Sequence, residues 1–216
     1  MNFKSLSASV VGLALLVTGA VIPVLAQEGA NPTTSQEEVT PSTLKSTRTT
    51  SAAPAKPKLQ LPFYCKQKWR LDTWAHAPAL DMVKEPNQVG TEGATLVAPA
   101  SGTVNQSFYH NNAGNVIQIN HGGGWYTTYL HLQSRAVKVG NKVQMGTVIG
   151  KVGKTGPTAN NHPHLHFELG YDSNKDGKAS WGYQGSERVT PVFNGVTYGS
   201  KNGQTWRNIA SHNKCP

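Results

Sequence analysis

Three histidines alternate along one short segment, at His162, His164 and His166, and Glu168 continues the alternation. Residues two apart on a β-strand point to the same side, so we expect His164 and His166 to face one ligand together. Imidazole is a common zinc ligand, and a catalytic zinc site takes three protein ligands and leaves the fourth position for water. The pair therefore predicts a metal site that residues from elsewhere in the chain complete.

Candidates for the missing ligands precede this segment in the chain. His76 and Asp81 form a pair of metal-ligand type on a loop that leads into a predicted strand, and His131 lies on another predicted strand. Each is a weak signal alone, but their combination in this order is a strong one. The chain has no H-E-x-x-H motif, so no helical glutamate is predicted as a base, and a histidine of near-neutral pKa can take that role.

The segments that must position these residues have the period-two pattern of β-strands. Short runs rich in β-branched and aromatic residues are separated by glycine and asparagine turns, and no segment has a convincing helical period. The pattern predicts a mainly β fold, an antiparallel sheet, sandwich or barrel-like arrangement with long irregular loops that include residues 171–207. The predicted strands lie within residues 95–104, 115–120, 125–132, 136–143 and 147–153.

The composition narrows the class of protein. The 216 residues include 20 Lys and Arg against 11 Asp and Glu, a net charge of +9, yet only 14% of residues are charged. With 22 Gly, 13 Pro and two Cys, the chain resembles neither a helical bundle nor a disulfide-dense small protein, and low hydrophobicity excludes a polytopic membrane protein. A basic surface favours an anionic partner, such as nucleic acid, a membrane or a cell-wall polymer.

The first residues predict export. Residues 1–26 have Lys4, an apolar run and small residues before Gln27, which is the pattern of a secretory signal peptide; glycines and a proline interrupt the run, which argues against an uncleaved anchor. Residues 27–58 are rich in Ser, Thr and Pro, and we expect a disordered linker or pro-segment. Residues 59–216 are predicted to form a single domain, secreted or extracytoplasmic. Export makes nucleic acid a poor partner, and since no later segment is apolar enough to span, no membrane association is expected after signal cleavage.

The two cysteines lie at the two ends of the predicted domain. In an exported protein the simplest interpretation is a disulfide between Cys65 and Cys215. A reactive or metal-binding thiol pair is the alternative, but no C-x-x-C spacing supports it.

With these motifs the chain resembles the lysostaphin/LytM-type zinc endopeptidases, which cut the peptide cross-links of bacterial peptidoglycan. The resemblance covers residues 69–169, and its most specific part is the H-x-H-x-E segment with Gly-x-Thr-Gly before it. Carrier domains for biotin or lipoate share one of the motifs, but this chain has no modifiable lysine at a hairpin tip. The resemblance is carried by His76 with Asp81 and by residues 97–104, 129–132, 139–150, 153–156 and 164–168.

The resemblance implies a fold like the duplicated hybrid motif and a role for each candidate residue. His76, Asp81 and His166 would hold one Zn²⁺, and His131 and His164 would be the catalytic histidines beside it. The commonest family pattern has three residues between the first histidine and the aspartate, and this chain has four, as in exported relatives with a longer loop.

Three further features have two interpretations each. Glu168 shares a strand face with the histidines, so it either orients an imidazole or is a solvated charge at the strand end. Trp181 and Tyr183 are candidates for a peptide groove, with a core position as the alternative. Residues 172–177 resemble the first half of a calcium loop, but Tyr183 stands where a full loop needs Glu, so a polar turn is predicted.

The leading hypothesis is an exported, monomeric zinc endopeptidase that cuts peptidoglycan stem peptides or cross-bridges. The first alternative is a catalytically inactive protein of the same fold that binds the wall or activates another hydrolase, although all five site positions are filled. The second alternative is a non-enzymatic basic module that binds anionic wall polymer. Glycine–glycine bridges and D-amino-acid cross-links both remain open as the bond that is cut.

Overall fold

The computed structural model of the protein describes residues 54–183 and 185–216. The predicted signal peptide and residues 27–53 of the predicted linker lie outside these ranges. The described chain is mainly β, with a single-turn 3₁₀ helix at Pro157–Ala159, and none of it forms a helix that is long and apolar enough to span a membrane. The strands are β1 Lys68–Asp72, β2 Leu80–Lys84, β3 Thr95–Val97, β4 Gly102–His110, β5 Gly114–Asn120, β6 Trp125–Leu132, β7 Ser134–Arg135, β8 Lys142–Val143, β9 Val148–Lys151, β10 Leu165–Tyr171, β11 Arg188–Val189, β12 Val192–Phe193, β13 Val196–Thr197 and β14 Thr205–Ala210.

The pairs formed by these described strands are all antiparallel, and two isolated parallel bridges lie outside them. The main sheet has the order β14-β1-β2-β10-β6-β5-β4-β8, with β11 paired to the distal part of β10. Strands β3, β9 and β7 form a smaller sheet, and β12 and β13 form a hairpin. The predicted mainly β, antiparallel fold is confirmed.

Both sheets contribute to one hydrophobic core. Leu96 and Ile149 of the smaller sheet join Ile117 and Tyr129 of the main sheet in a cluster of buried side chains. Every residue of β6 is buried, because β6 lies between β5 and β10 and both of its faces are covered. The candidate site lies at one end of this buried centre of the sheet.

The structure differs from the sequence-based prediction in three places. Residues 136–143 were predicted as a strand, but only the last two form one, because Asn141 donates its amide to the carbonyl of Lys138 and the chain turns at Gly140, whose φ is +86°. The predicted loop 171–207 contains the short strands β11 to β13. The prediction also missed β1 and β14, which complete one side of the main sheet, whereas β2 is the strand expected after the loop of His76.

Strands from the two ends of the described chain pair with each other. β1 pairs with β14, and the predicted disulfide joins Cys65 to Cys215. Buried hydrogen bonds reinforce this closure: Ser211 Oγ donates to the carbonyl of Phe63, and Asn213 Nδ2 donates to the carbonyl of Leu61. The edge of the sheet is therefore held by both covalent and polar contacts.

Removal of this disulfide is expected to destabilise the domain. The bridge closes a loop with a sequence separation of 150 residues, for which the chain-entropy model gives an upper estimate of about 5 kcal/mol. We expect the Cys65→Ser/Cys215→Ser double variant to lose roughly 2–5 kcal/mol of unfolding free energy in urea titrations. A loss below about 0.5 kcal/mol would mean that the hydrogen bonds near the two termini hold β1 and β14 together without the disulfide.

Candidate metal and catalytic site

Three adjacent strands bring the predicted site residues together. Asp81 on β2 lies directly opposite His166 on β10, and His166 lies opposite Leu130 on β6. His76 is in the turn that leads into β2, and His164 immediately precedes β10. Residues that are 90 positions apart in the chain, such as His76 and His166, thus share one end of the sheet, with ring centroids 5.0 Å apart.

His131 reaches the site through a β-bulge. Between β5 and β6 the register shifts, so that Leu130 and His131 together oppose the single residue Val116. His131 has a φ of +63°, in the left-handed region that few non-glycine residues adopt, and its side chain is buried. A bulge re-aims a side chain at the cost of local strain. Here it turns His131 towards His164, with ring centroids 4.9 Å apart.

His76, Asp81 and His166 form a compact group of metal-ligand type. His76 Nε2 lies 3.1 Å from Asp81 Oδ2, and His166 Nδ1 lies 2.9 Å from Asp81 Oδ1. Neighbouring ligand atoms of a tetrahedral zinc site are about 3.4 Å apart, so a small opening of these contacts would admit the ion. His76 Nδ1 is a buried nitrogen without a hydrogen-bond partner in the described chain. Two imidazoles and one carboxylate fit a zinc ion that also holds water.

A second group shares His166 with the first. The ligand atoms of His131, His164 and His166 also lie within 4.8 Å of one another. This group has no carboxylate, whereas the first includes Asp81, whose negative charge offsets that of a divalent cation. His164 Nε2 is 3.6 Å from Asp81 Oδ1. The two groups are thus side by side, and the anionic group is the better cation site.

Backbone carbonyls fix the proton positions on the other two histidines. His131 Nδ1 lies 3.0 Å from the carbonyl oxygen of Thr155, and His164 Nδ1 lies 2.8 Å from that of His162. A carbonyl oxygen only accepts hydrogen bonds, so each Nδ1 carries a proton. In the neutral rings Nε2 is then an unprotonated acceptor, which is the form a general base needs.

The pKa shifts agree with His131 and His164 as unprotonated acceptors and with Asp81 as an anionic candidate ligand. Burial, together with the charges of His164 and His166, lowers the pKa of His131 to about 4, and burial also lowers the pKa of His164. Burial opposes charge on His166 as well, but hydrogen bonds to Asp81 and Glu168 outweigh it and raise its pKa to about 10. Burial acts against ionised Asp81 too, yet the bonds from His166 and His76 lower its pKa far below the ordinary range. His131 and His164 are therefore neutral at pH 7, and Asp81 is ionised.

Glu168 holds the far side of His166. Its carboxylate is buried, with Oε1 2.8 Å from His166 Nε2, and it accepts a hydrogen bond from the amide of Gly182. The interpretation of Glu168 as a solvated strand-end charge is therefore wrong. A carboxylate on the distal nitrogen of a histidine fixes the ring and leaves the other nitrogen, here Nδ1, for a metal.

The Gly-x-Thr-Gly segment supports both neutral histidines. The carbonyl of Gly153 accepts the amide of His164, and Thr155 accepts from the ring of His131 while its hydroxyl donates to the carbonyl of Leu132. A Cβ at Gly153 would overlap the backbone nitrogen of Gln133, so only glycine allows this close approach. The motif was found in the sequence, but its contribution to the site becomes clear only from these contacts.

The two candidate groove residues differ in their surroundings. Trp181 is half-buried against Val116 and Leu130, and its indole Nε1 donates to Gln106 Oε1. Its neighbour Gly182 is the residue that contacts Glu168, so Trp181 lies close to the histidines. Tyr183 is fully exposed. The sequence analysis missed that His110, at the end of β4, packs edge-on against Trp181 with ring centroids 5.4 Å apart.

Backbone amides in and near the loop that carries Trp181 donate hydrogen bonds to one carboxylate. Glu187 is buried and accepts hydrogen bonds from the amides of Ser173, Asn174 and Ser180. The predicted polar turn at residues 172–177 uses its own acidic side chains as acceptors for backbone amides. Burial opposes the charge of Glu187, but the amide donors outweigh it and lower its pKa to about 2.

Replacement of Glu187 by glutamine is expected to give a pH-dependent loss of stability. A carboxylate whose pKa is depressed by folding contributes stability above its unfolded pKa, and that contribution is lost as the pH falls through the folded pKa. We expect the difference in unfolding free energy between wild type and Glu187→Gln to be roughly 2 kcal/mol at pH 7. It should shrink between pH 4.5 and about 2. A difference that stays constant over this range would assign the loss to packing.

Comparison with known proteins identifies relatives of the segment that contains most of the candidate site residues. Residues 87–179 match the sequence profile described as Peptidase family M23. Peptidoglycan DD-endopeptidase ShyC of Vibrio cholerae serotype O1 is 41% identical over 81 residues, which cover 38% of this chain and 18% of the relative. DD-carboxypeptidase/endopeptidase Mpg of Neisseria gonorrhoeae is 32% identical over 111 residues, 51% of this chain and 24% of the relative.

Among solved structures, the crystal structure of a putative peptidase M23 from Pseudomonas aeruginosa is similar, with 27% sequence identity and a TM-score of 0.45. The match covers 56% of this chain and 48% of that one. The chain spans less than a quarter of the length of either curated relative.

Proposed function

We propose that the protein is a zinc-dependent endopeptidase that hydrolyses peptide bonds in bacterial peptidoglycan, because residues 87–179 match the sequence profile of peptidase family M23. The observation that carries the proposal is the convergence of His76, Asp81 and His166 next to two neutral histidines. Such a pairing of a cation site with positioned bases suits hydrolysis of an unactivated amide bond.

The metal would be held by His76 Nε2, a carboxylate oxygen of Asp81 and His166 Nδ1. When bound, a zinc ion supplies the Lewis acidity that activates water and polarises a carbonyl group. Glu168 would keep one proton of His166 on Nε2, so that Nδ1 is the nitrogen that would hold the ion once its own proton is released. The ligand set is thus oriented by a buried second carboxylate.

His131 and His164 would move the protons of the reaction. Each donates its Nδ1 proton to a backbone carbonyl and directs an unprotonated Nε2 towards the site. One imidazole can accept the proton of the attacking water, and an imidazole so protonated can donate to the leaving amine. Their low pKa values keep both rings neutral at the start of the reaction.

The experiment that tests this function uses the full chain and purified peptidoglycan. We expect mass spectrometry to detect newly released peptides, a chelator to abolish their release, and added zinc to restore it. Release that is indifferent to the chelator would contradict the zinc mechanism. Tight wall binding without release from any wall preparation would favour a non-enzymatic wall-binding protein. The masses of the peptides would also identify the bond that is cut.

Wall binding is proposed to depend on the net charge of +9 and on an extracytoplasmic location. Salt screens interactions between exposed charges, so raising NaCl from about 0.05 to 0.5 M is expected to weaken binding to intact sacculi roughly tenfold. Pelleting assays with the zinc-loaded protein measure the bound fraction. Binding that is independent of salt would mean that the basic surface is not what concentrates the protein on the wall.

A further inference from the structure

An open pocket of about 410 Å³ lies beside the candidate metal site. Ala77 and Pro78, which directly follow His76, form one side of it, and Lys56 and Arg188 lie on its lining as well. Its described lining contains two cations and no carboxylate. We call it the Arg188 pocket, and its charge is complementary to a negatively charged group.

Arg188 lies between this pocket and the metal ligands. Its Nη1 donates to the carbonyl of His76 at 3.4 Å and is 3.9 Å from Glu168 Oε1, and its Nε donates to the carbonyl of Gly185. Within residues 54–183 and 185–216, Nη2 has no hydrogen-bond partner, and the side chain is 16% exposed. The guanidinium group is thus fixed in position and still has donors available, which suits recognition of a planar carboxylate.

Lys56 brings a second cation to the same pocket. Its Nζ lies 3.5 Å from the carbonyl oxygen of Thr190 and 5.7 Å from the centre of the Trp125 ring. The carbonyl of Pro54 accepts a hydrogen bond from Trp125 Nε1, which attaches this segment to the domain. The pocket therefore combines a positioned guanidinium with an ammonium group on a longer, more adaptable side chain.

We propose that the Arg188 pocket binds a free carboxylate of the peptide substrate, an inference that rests on the proposed endopeptidase function. An extended peptide advances about 3.3–3.6 Å per residue. Because the pocket begins at the residue after His76, a peptide bond held at the metal site has its near neighbours within reach of Arg188. A carboxylate there would fix the register of the peptide, so the pocket would select substrates by charge.

The test compares two peptide substrates on the full-length, zinc-loaded protein. One is a cross-linked dimer isolated from peptidoglycan with its carboxylates free, and the other is the same dimer after carbodiimide coupling with ammonia, which converts carboxylates to carboxamides. The first readout is the ratio of kcat/KM for the two dimers. The second readout is the Kd of the matching uncross-linked peptides, by calorimetry, which does not depend on cleavage.

We expect wild type to prefer the free carboxylates about tenfold in both readouts. Arg188→Gln and Lys56→Met should reduce the preference below about threefold, whereas Lys58→Met, an exposed control outside the pocket, should retain it. A ratio is insensitive to a general loss of activity, such as Arg188→Gln could cause through Glu168. Lys56 has no contact with the metal ligands, so its variant supports the conclusion independently.

The outcomes separate this inference from the proposed function. Cleavage of both dimers at equal rates, with equal Kd values, would overturn the pocket's role and leave the endopeptidase intact. Absence of cleavage together with a Kd preference that the variants remove would overturn the function and retain the pocket. If inorganic phosphate competes as well as the free peptide, the pocket is a site for small anions and the proposal is wrong.

Discussion

Replacing His166 with alanine is expected to remove zinc from the purified protein and to lower peptide release from peptidoglycan by at least about 1,000-fold. His166 is shared by both groups of candidate ligands and contacts both carboxylates of the site. Without its imidazole the cation site retains two protein ligands. Elemental analysis of the metal content and kinetic assays on the same preparation measure the two effects together.

The control for this variant is His212→Ala. His212 is exposed, pairs with the Asn194 amide through Nδ1 and belongs to neither group of candidate ligands. We expect this control to keep its zinc and its activity. A His166→Ala protein that still binds one zinc ion and cleaves at the wild-type rate would refute the proposed ligand set.

The second large effect is expected for His131→Asn, which should keep its zinc and lose a factor of about 10² to 10⁴ in kcat. His131 is proposed to accept a proton rather than to bind the ion. Asparagine is chosen because it tolerates a positive φ better than most residues, so the bulge at this position should persist. Alanine would combine loss of the imidazole with backbone strain.

The same variant shows which of the two groups of candidate ligands binds the metal. If His131→Asn loses its zinc, then His131, His164 and His166 are the ligands and Asp81 is not part of the metal set. If zinc is retained and kcat is unchanged, His131 is not the base. Thermal unfolding of the variant, followed by circular dichroism, shows whether the bulge tolerates the substitution.

Part of this site could be predicted because several of its residues lie within short segments whose pattern is recognisable in the sequence. The alternation of His164 and His166 follows from strand geometry, and the pattern of β-formers at residues 125–132 identifies a central strand. Residue type and position marked His76, Asp81 and His131 as candidates, and the resemblance to known endopeptidases supplied their separate roles. The comparison matches residues 87–179 to the sequence profile of peptidase family M23, while the roles of the individual residues remain predictions.

The features that the sequence did not predict depend on contacts between segments that are distant in the chain. Nothing local marks Arg188 as a neighbour of His76, because the pairing of β10 with β11 brings them together. The left-handed backbone of His131 arises from a register shift between two strands, not from its own propensity. Strands β1 and β14 were missed for a related reason: each is short, and each is stabilised by its partner from the other end of the chain.

The order β14-β1-β2-β10 has a consequence for the transfer of the proposed activity to other proteins. The segment that matches the family begins at residue 87, after Asp81, and ends before β14. A module cut at those borders would omit two of the three proposed metal ligands and the strand pair that supports them. Chimeric proteins should therefore exchange residues 54–216 as one unit, joined through flexible linkers at both ends. The exchanged unit then includes the Cys65–Cys215 disulfide together with the candidate site residues.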